Sequence, residues 1–172
     1  LFVQGMNSVW RDVKTYGNYA YVTTEALNGL LIIDLSNLPD STNTSTYLYT
    51  GPANAQWQSA HNLFIDDRGY DYIFGANRGS GGAIILDLNQ DPTSPVEVAD
   101  INNWYCHDGM TKGDTLFLAN GNNSIFSIWD VSVPSSPVLL AQNQTVGYYS
   151  HNIWSSDDGN YIYTTCLLYT SP

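Results

Sequence analysis

The segment AIILDLNQDPTSPV, residues 83–96, joins an apolar run ending in Asp-Leu to a turn rich in Asn, Asp and Pro. Isoleucine and leucine favour strands here, whereas Pro, Asp and Asn favour turns. Related segments are LLIIDLSNLPD, residues 30–40, and IFSIWDVSVPSSPV, residues 125–138. Each predicts a β-strand followed by a turn. Because the apolar residues are consecutive, we expect each strand to be buried on both faces.

A second repeated feature is a basic residue followed by Asp or Asn, placed near the start of an apolar strand. The four pairs are Arg11-Asp12, His61-Asn62, His107-Asp108 and His151-Asn152, and their basic residues are 50, 46 and 44 residues apart. One four-stranded propeller blade has a length of roughly 40–50 residues. The spacing therefore predicts an all-β fold, a β-propeller of about four consecutive four-stranded blades, partial at both ends. A β-sandwich of short strands is the alternative, but it gives no reason for this pair to recur at blade spacing.

The repeat also predicts the extent of the domain. We expect a partial propeller over residues 1–165, with blade boundaries near residues 10, 60, 106 and 150. Phe2–Gly5 is expected to be the outer strand of a preceding blade. Residues 166–171 read Cys-Leu-Leu-Tyr-Thr-Ser, which a transposon-end adapter used in sequencing libraries would encode. We therefore expect a gene fragment whose residues 166–172 are a non-native tail.

Charge and composition exclude some classes of partner. The chain has 16 Asp and Glu against 5 Lys and Arg, for a formal net charge of −11. Such an acidic surface repels phosphate backbones, so we expect no nucleic-acid partner. No apolar run reaches the roughly 18 residues of a membrane-spanning helix, so we expect no span in this segment.

The repeated segments resemble known proteins. The three strand-and-turn segments resemble LVIVD-type propeller repeats, and SVWRDVK, AHN, HDG and SHN, in that order, resemble the choice-of-anchor B family. The resemblance extends over nearly the whole chain up to Thr165. Members of that family are bacterial surface proteins of largely unassigned function. The resemblance therefore implies an extracellular or cell-surface location.

The recurring pair also indicates a candidate site. In a propeller, the connection from one blade's outer strand to the next blade's inner strand crosses one face, called here the top face. We therefore expect the pairs to ring the top mouth of the central channel. The expected ligand-binding residues are Arg11, Asp12, His61, Asn62, His107, Asp108, His151 and Asn152. The expected aromatic rim comprises Trp10, Trp57, Trp104, Tyr105 and Tyr149.

Three interpretations of the histidines stay open. They could join blades by donating to a backbone carbonyl or a neighbouring Asp. His61, His107 and His151 could instead bind a divalent transition metal. Neighbouring inner strands about 10 Å apart argue against that, because metal–nitrogen bonds are only about 2.1 Å long. Finally, Arg11 and partly protonated histidines could bind an anionic or polar ligand.

The leading functional hypothesis is a non-enzymatic surface scaffold that binds a polar small molecule, a glycan or a protein at the channel mouth. It assigns no catalytic residue and no certain cofactor. The alternative is a metal-dependent enzyme that uses His61, His107 and His151 to hold a divalent transition metal.

Overall fold

The structure, a computed structural model, describes residues 2–167 and is built almost entirely from β-strands joined by turns. A single 3₁₀ turn, Gly121–Asn123, interrupts them, and no helix among residues 2–167 has the length and hydropathy of a membrane span. The strands are β1 (Arg11–Tyr16), β2 (Tyr19–Thr24), β3 (Leu30–Asp34), β4 (Thr46–Tyr49), β5 (Asn62–Ile65), β6 (Tyr70–Phe74), β7 (Ala83–Asp87), β8 (Val96–Ile101), β9 (Asp108–Lys112), β10 (Thr115–Asn120), β11 (Ile125–Asp130), β12 (Val138–Gln144), β13 (Tyr149–Ser155) and β14 (Ile162–Leu167).

Consecutive strands pair in antiparallel fashion to form separate sheets. Strands β1–β4, β5–β8 and β9–β12 make three four-stranded sheets, called here blades 1, 2 and 3, and β13–β14 make a two-stranded sheet, blade 4. The first strand of each blade packs against the first strand of the next, so β1, β5, β9 and β13 are the inner strands. This arrangement confirms the predicted succession of propeller blades. Within residues 2–167 the sheets do not close into a ring.

Two tight hairpins join the first and second strands of blade 1 and of blade 3. Tyr16 pairs with Tyr19, and Lys112 pairs with Thr115, so each hairpin has a two-residue turn. The first turn residues, Gly17 and Gly113, have φ angles of 54° and 55°. This left-handed conformation matches the twist of a hairpin and is one that glycine adopts without a steric penalty.

The core lies between the blades, and the third strand of blade 2 contributes to it on both faces. Ile84 and Leu86 of β7 pack into a cluster with residues of blade 1, such as Leu30 and Ile32. The alternate residue Ile85 packs into a second cluster shared with blade 3. Successive strand residues point to opposite faces, so this alternation means that blades stack face to face. The prediction that this strand is buried on both faces is confirmed.

The N-terminal segment differs from its prediction. Phe2–Gly5 was expected to form a strand, but the segment has no regular secondary structure. A strand needs a neighbour that accepts and donates its backbone hydrogen bonds, and no described residue pairs with this segment. The prediction of a strand at Phe2–Gly5 is therefore wrong.

The other end of the described chain bears on the proposed tail. Strand β14 continues through Cys166 and Leu167, which pair with Ser150 and Tyr149 of β13. Pairing does not reveal the origin of these residues, so the non-native origin of residues 166–172 stays a prediction. Residue 1 and residues 168–172 lie outside the described part of the chain.

Candidate functional site

The repeated basic–Asx pairs come together at one end of the inner strands. Strands β1, β5 and β9 begin at or beside their pairs, with Asn62 opposite Phe74 and Asp108 opposite Ala119 in register. Because the inner strands pack side by side, the equivalent residues of neighbouring blades become neighbours in space. The sequence repeat is thereby converted into two rows of side chains that run from blade to blade.

The first row consists of Asx side chains, called here the Asx belt: Asp12, Asn62, Asp108 and Asn152. Hydrogen bonds join the last three of these side chains. The centre of the belt is Asp108, whose Oδ1 accepts a hydrogen bond from Asn62 Nδ2 at 2.9 Å and whose Oδ2 accepts one from Asn152 Nδ2 at 2.5 Å. The backbone N–H of Gly109 also donates to Oδ1 at 2.8 Å. Asp108 of blade 3 thus joins blade 2 and blade 4.

Asp12 ends the belt differently. Its Oδ1 accepts a hydrogen bond from the backbone N–H of Val13 at 2.8 Å, and its Oδ2 forms an ion pair with Lys14 Nζ at 2.5 Å. Asp12 and Lys14 lie two residues apart on one strand and therefore share a face. The carboxylate of blade 1 has a cationic partner within its own blade.

Burial changes the acidity of Asp108. Removal of the carboxylate from water raises its pKa above the usual 3.8, and the hydrogen bonds from Asn152 and Gly109 offset that rise only in part. Burial therefore disfavours the charged form of Asp108. A nearby positive charge would stabilise that charged form.

The second row is a stack of aromatic rings, called here the imidazole stack: Trp10, His61, His107 and His151. The ring centroids of His61 and His107 are 4.0 Å apart, and those of His107 and His151 are 4.2 Å apart. The Trp10 indole lies parallel to the His61 ring at 5.0 Å, with an interplanar angle of 8°. The rings are much closer than the 10 Å spacing of strands led us to expect, because the side chains lean toward one another.

Each imidazole has an oxygen partner at Nδ1. His61 Nδ1 lies 2.8 Å from Glu25 Oε1, and His107 Nδ1 lies 2.8 Å from the backbone carbonyl oxygen of His151. His151 Nδ1 contacts Oδ1 of Asn152, which links the imidazole stack to the Asx belt. A carbonyl oxygen only accepts, so His107 donates from Nδ1 and its Nε2 carries the lone pair when the ring is neutral. His61 Nε2 is buried and has no hydrogen-bond partner among residues 2–167.

The central ring of the stack is held neutral. Burial and, to a smaller extent, the nearby ring of His61 lower the pKa of His107 from 6.5 to about 4, while the hydrogen bond to His151 acts in the opposite direction. At neutral pH, His107 therefore contributes packing and one hydrogen bond, but no positive charge.

Arg11 departs from the other basic residues. It is equivalent in sequence to the three histidines, yet its Nη2 donates to the backbone carbonyl of Met6, and the side chain lines a separate cavity on the outer face of blade 1. Trp10 takes the position next to His61 instead. The expectation of a ring shared by Arg11 and the histidines is wrong for Arg11, since its longer side chain reaches the N-terminal segment.

Most of the expected aromatic rim is interior packing. Trp57 is only 1% exposed and lies in the core between blades 1 and 2, and Trp104 packs against the core between blades 2 and 3. Tyr105 and Tyr149 are half-buried and hydrogen bond to each other, and Tyr149 meets His107 edge-on. Of the five predicted rim residues, only Trp10 lines a concave surface on the channel. The others sit where blade meets blade, the commoner use of a large aromatic side chain.

A cavity of about 370 Å³ occupies the channel between the four inner strands. All four members of the Asx belt line it, so the structure brings together residues of four blades. Trp10, Lys14 and Phe64 contribute to the wall from blades 1 and 2, and Trp154 and Tyr163 contribute from blade 4. The histidines are not among the lining residues; they lie beside the wall and support it.

Trp154 is the functional candidate that sequence reasoning missed. It is 58% exposed and meets Phe64 of blade 2 edge-on, with ring centroids 6.5 Å apart. The signal was present in the sequence, because Trp154 follows Asn152 by two residues on an inner strand and so shares its face. The alternation of side chains along β13 therefore predicts an aromatic ring beside the Asx belt.

A comparison with known protein families finds one repeat family that matches two segments of the chain. Residues 10–48 and 110–145 match the LVIVD repeat. No curated protein matches the chain. The two LVIVD segments contain most of blade 1 and most of blade 3.

The LVIVD match and the candidate site overlap only in part. The first LVIVD segment includes Trp10, Asp12 and Lys14, whereas the second begins two residues after Asp108. His61, His107 and His151 lie outside both segments. The LVIVD match therefore covers most of blades 1 and 3, and the three histidines lie outside the matched segments.

The metal interpretation was tested on the side-chain positions. Within residues 2–167, no group of three or more His, Cys, Asp or Glu side chains is placed so that it could hold a metal ion. The imidazole rings are close, but neighbouring rings are tilted by 42° and 40° and pack against one another.

Proposed function

We propose that this chain is part of a bacterial surface propeller that binds a ligand in the central channel and performs no chemistry on it. The observation that carries the proposal is the channel cavity, to which four blades contribute equivalent Asx residues. Its volume falls within the range of roughly 300–1,000 Å³ of small-molecule sites. The partner is a polar small molecule, a glycan or a protein side chain presented at the top face.

The two rows of side chains have different parts in this proposal. The Asx belt and the exposed indoles of Trp10 and Trp154 contact the ligand, because they line the cavity. The imidazole stack holds neighbouring inner strands at a fixed spacing through ring contacts and the bond from His107 to the carbonyl of His151. Of the eight residues that the sequence predicts to bind a ligand, Asp12, Asn62, Asp108 and Asn152 keep that role in this proposal. The three histidines are positioning residues.

A metal-dependent enzyme built on His61, His107 and His151 is the second candidate. One observation favours it: each Nδ1 atom has an oxygen partner, as is usual for histidines that ligate a metal through the other nitrogen. The absence of a suitable three-residue group in residues 2–167 ranks it second. Elemental analysis of the purified protein tests it: a stoichiometric transition metal that is lost in His61→Gln and His107→Gln would favour the enzyme.

We also propose a cell-surface location, on the basis of the resemblance to the choice-of-anchor B family. Low charge content, 12% against roughly 25% in ordinary globular proteins, agrees with an exported protein. Labelling of intact cells that express the full reading frame, with an antibody against this segment, tests it. Signal that requires permeabilised cells would contradict an exposed location.

The binding proposal is tested by a ligand screen followed by one substitution. Small polar compounds and glycans are screened by the change in intrinsic tryptophan fluorescence, and binders are measured by calorimetry. Trp154→Ala is expected to weaken a channel ligand by about tenfold or more, as the loss of one stacking contact implies. The matched control is Tyr148→Ala, since Tyr148 is 78% exposed but does not line the cavity. Equal losses in both variants, or in neither, would contradict a channel site.

A further inference from the structure

We propose that the channel cavity binds an organic ammonium group, held between the carboxylate of Asp108 and the indole faces of Trp10 and Trp154. This inference rests on the proposed function and adds the charge and chemical class of the ligand. It follows from two features of the cavity wall: a carboxylate without an ion pair among the described residues, and exposed indoles.

The first feature is the balance of charge. Two carboxylates, Asp12 and Asp108, line the cavity, and Lys14 is the single cationic lining residue among the described residues. Lys14 is already paired with Asp12 at 2.5 Å. Asp108 accepts hydrogen bonds only from neutral N–H groups and has no ion pair within residues 2–167. The wall therefore offers one carboxylate, Asp108, that has no ion pair among the described residues, although the nearby ammonium of Lys14 favours its charged form in part.

The second feature is aromatic surface next to that carboxylate. Trp10 is 43% exposed and Trp154 is 58% exposed, and both line the cavity together with Tyr163. One face of the Trp10 indole is covered by His61, and the edge contact with Phe64 orients Trp154. The face of an indole attracts a cation through the ring quadrupole, most strongly for Trp. A carboxylate and exposed indoles that line the same cavity together favour an ammonium group.

The charge of the whole chain acts in the same direction. A formal net charge of −11 raises the local concentration of cations around the channel and disfavours anions. An anionic ligand would also face the two carboxylates of the wall. The cavity is therefore least suited to carboxylates, sulfate and phosphate.

Choline and its neutral carbon isostere, in which a tert-butyl group replaces trimethylammonium, form a matched pair of probes. They have nearly the same shape and differ in charge. Binding is measured by calorimetry at low ionic strength and by the change in tryptophan fluorescence. We expect choline to bind at least about tenfold more tightly than the isostere, the size of one cation–π and charge interaction in a partly exposed site.

Two substitutions sharpen the test. Trp154→Ala is expected to weaken choline binding about tenfold, whereas Tyr148→Ala leaves it unchanged. Lys14→Met removes the resident ammonium and frees Asp12, so choline binding is expected to tighten by about fivefold or more. Lys14 is 39% exposed, so its loss leaves the core intact. Asp108 is not used as the principal variant, because its removal disrupts the Asx belt.

The outcomes separate this inference from the proposed function. Equal binding of choline and its isostere, or weaker choline binding in Lys14→Met, overturns the ammonium inference. A neutral glycan that binds and is lost in Trp154→Ala, with no binding of choline, overturns the inference and leaves the channel site in place. If Trp154→Ala leaves the affinity of every probe unchanged, both proposals fail.

Discussion

The side chain of Asn152 in blade 4 donates a hydrogen bond from Nδ2 to Oδ2 of Asp108 in blade 3 over 2.5 Å. Their equivalents in other blades stand at the same strand position, so a sequence repeat becomes a physical connection between sheets. The donor and the acceptor come from separate sheets, so this hydrogen bond forms only when blades 3 and 4 pack together. The stability of the inner ring should therefore depend on this contact.

Asp108→Ala should destabilise the protein by about 2–4 kcal/mol, because it leaves the amides of Asn62 and Asn152 without their acceptor in a partly buried position. Urea unfolding monitored by circular dichroism measures the loss. Asp67→Ala, at an exposed turn position, is the control and should change stability by less than about 0.5 kcal/mol. Similar effects of the two substitutions would show that the Asx belt carries no stability.

Asp71→Asn should change the dependence of stability on pH. Asp71 is fully buried, and neither carboxyl oxygen has a hydrogen-bond partner in the described part of the chain. Burial raises the pKa of Asp71 well above 3.8 despite the nearby ammonium of Lys14. Above pH 3.8 the unfolded state binds fewer protons here than the folded state, so stability falls as pH rises toward the folded pKa. The amide cannot ionise and escapes this loss.

The measurement for Asp71 is the free energy of unfolding across pH. The variant should be more stable than the wild type at neutral pH, and the difference should shrink toward pH 3.8. Asp67→Asn is the control, because its exposed carboxyl lies in the adjacent turn. If the difference in unfolding free energy between Asp71→Asn and wild type stays constant with pH, Asp71 binds its proton equally well in the folded and unfolded states, which contradicts the prediction.

His107→Gln should reduce the loss of stability in acid. The pKa of His107 in the folded protein is about 4, below its ordinary value of 6.5, mainly through burial. As pH falls from 6.5 toward 4, the unfolded state takes up a proton that the folded state refuses, so stability is lost in that window. Unfolding of the variant should show a shallower slope there, even if its stability at neutral pH is lower. Parallel slopes for variant and wild type would contradict a neutral imidazole.

Ile85→Ala should cost about 2–5 kcal/mol, since the side chain is fully buried between blades 2 and 3 and its removal leaves a cavity. Chemical denaturation measures the change. Val96→Ala on β8 is the control, with an expected cost below about 1 kcal/mol because Val96 is 43% exposed. Comparable losses would contradict the packing of blades through β7.

Much of the scaffold was predictable because strands and turns are local. The apolar run at residues 83–88 and the turn that follows it in the chain predict β7 and its connection, and the structure confirms both. The failure at Phe2–Gly5 has the opposite cause. A strand at a sheet edge exists only when a partner strand is present, and no short segment carries that information.

The candidate site was predictable at the level of strand position but not of side-chain direction. The repeat placed Asp12, Asn62, Asp108 and Asn152 at equivalent positions, and these four residues line one cavity. It also placed Arg11 with the histidines and Trp57 on the rim. Both assignments fail, because a long side chain can reach another surface and an indole gains more from burial between sheets.

Periodicity and turn chemistry alone establish the blades, their order and the inner-strand location of the basic–Asx pairs, since each depends on residues close together in the chain. The pairing of Asp108 with Asn62 and Asn152, the closeness of the three imidazoles, and the exposure of Trp154 beside Phe64 depend on how blades pack. Those contacts join residues more than 40 positions apart, and their geometry is set by the lean and spacing of stacked sheets. Only the tertiary structure determines which side chains of an equivalent set share a cavity and which are buried.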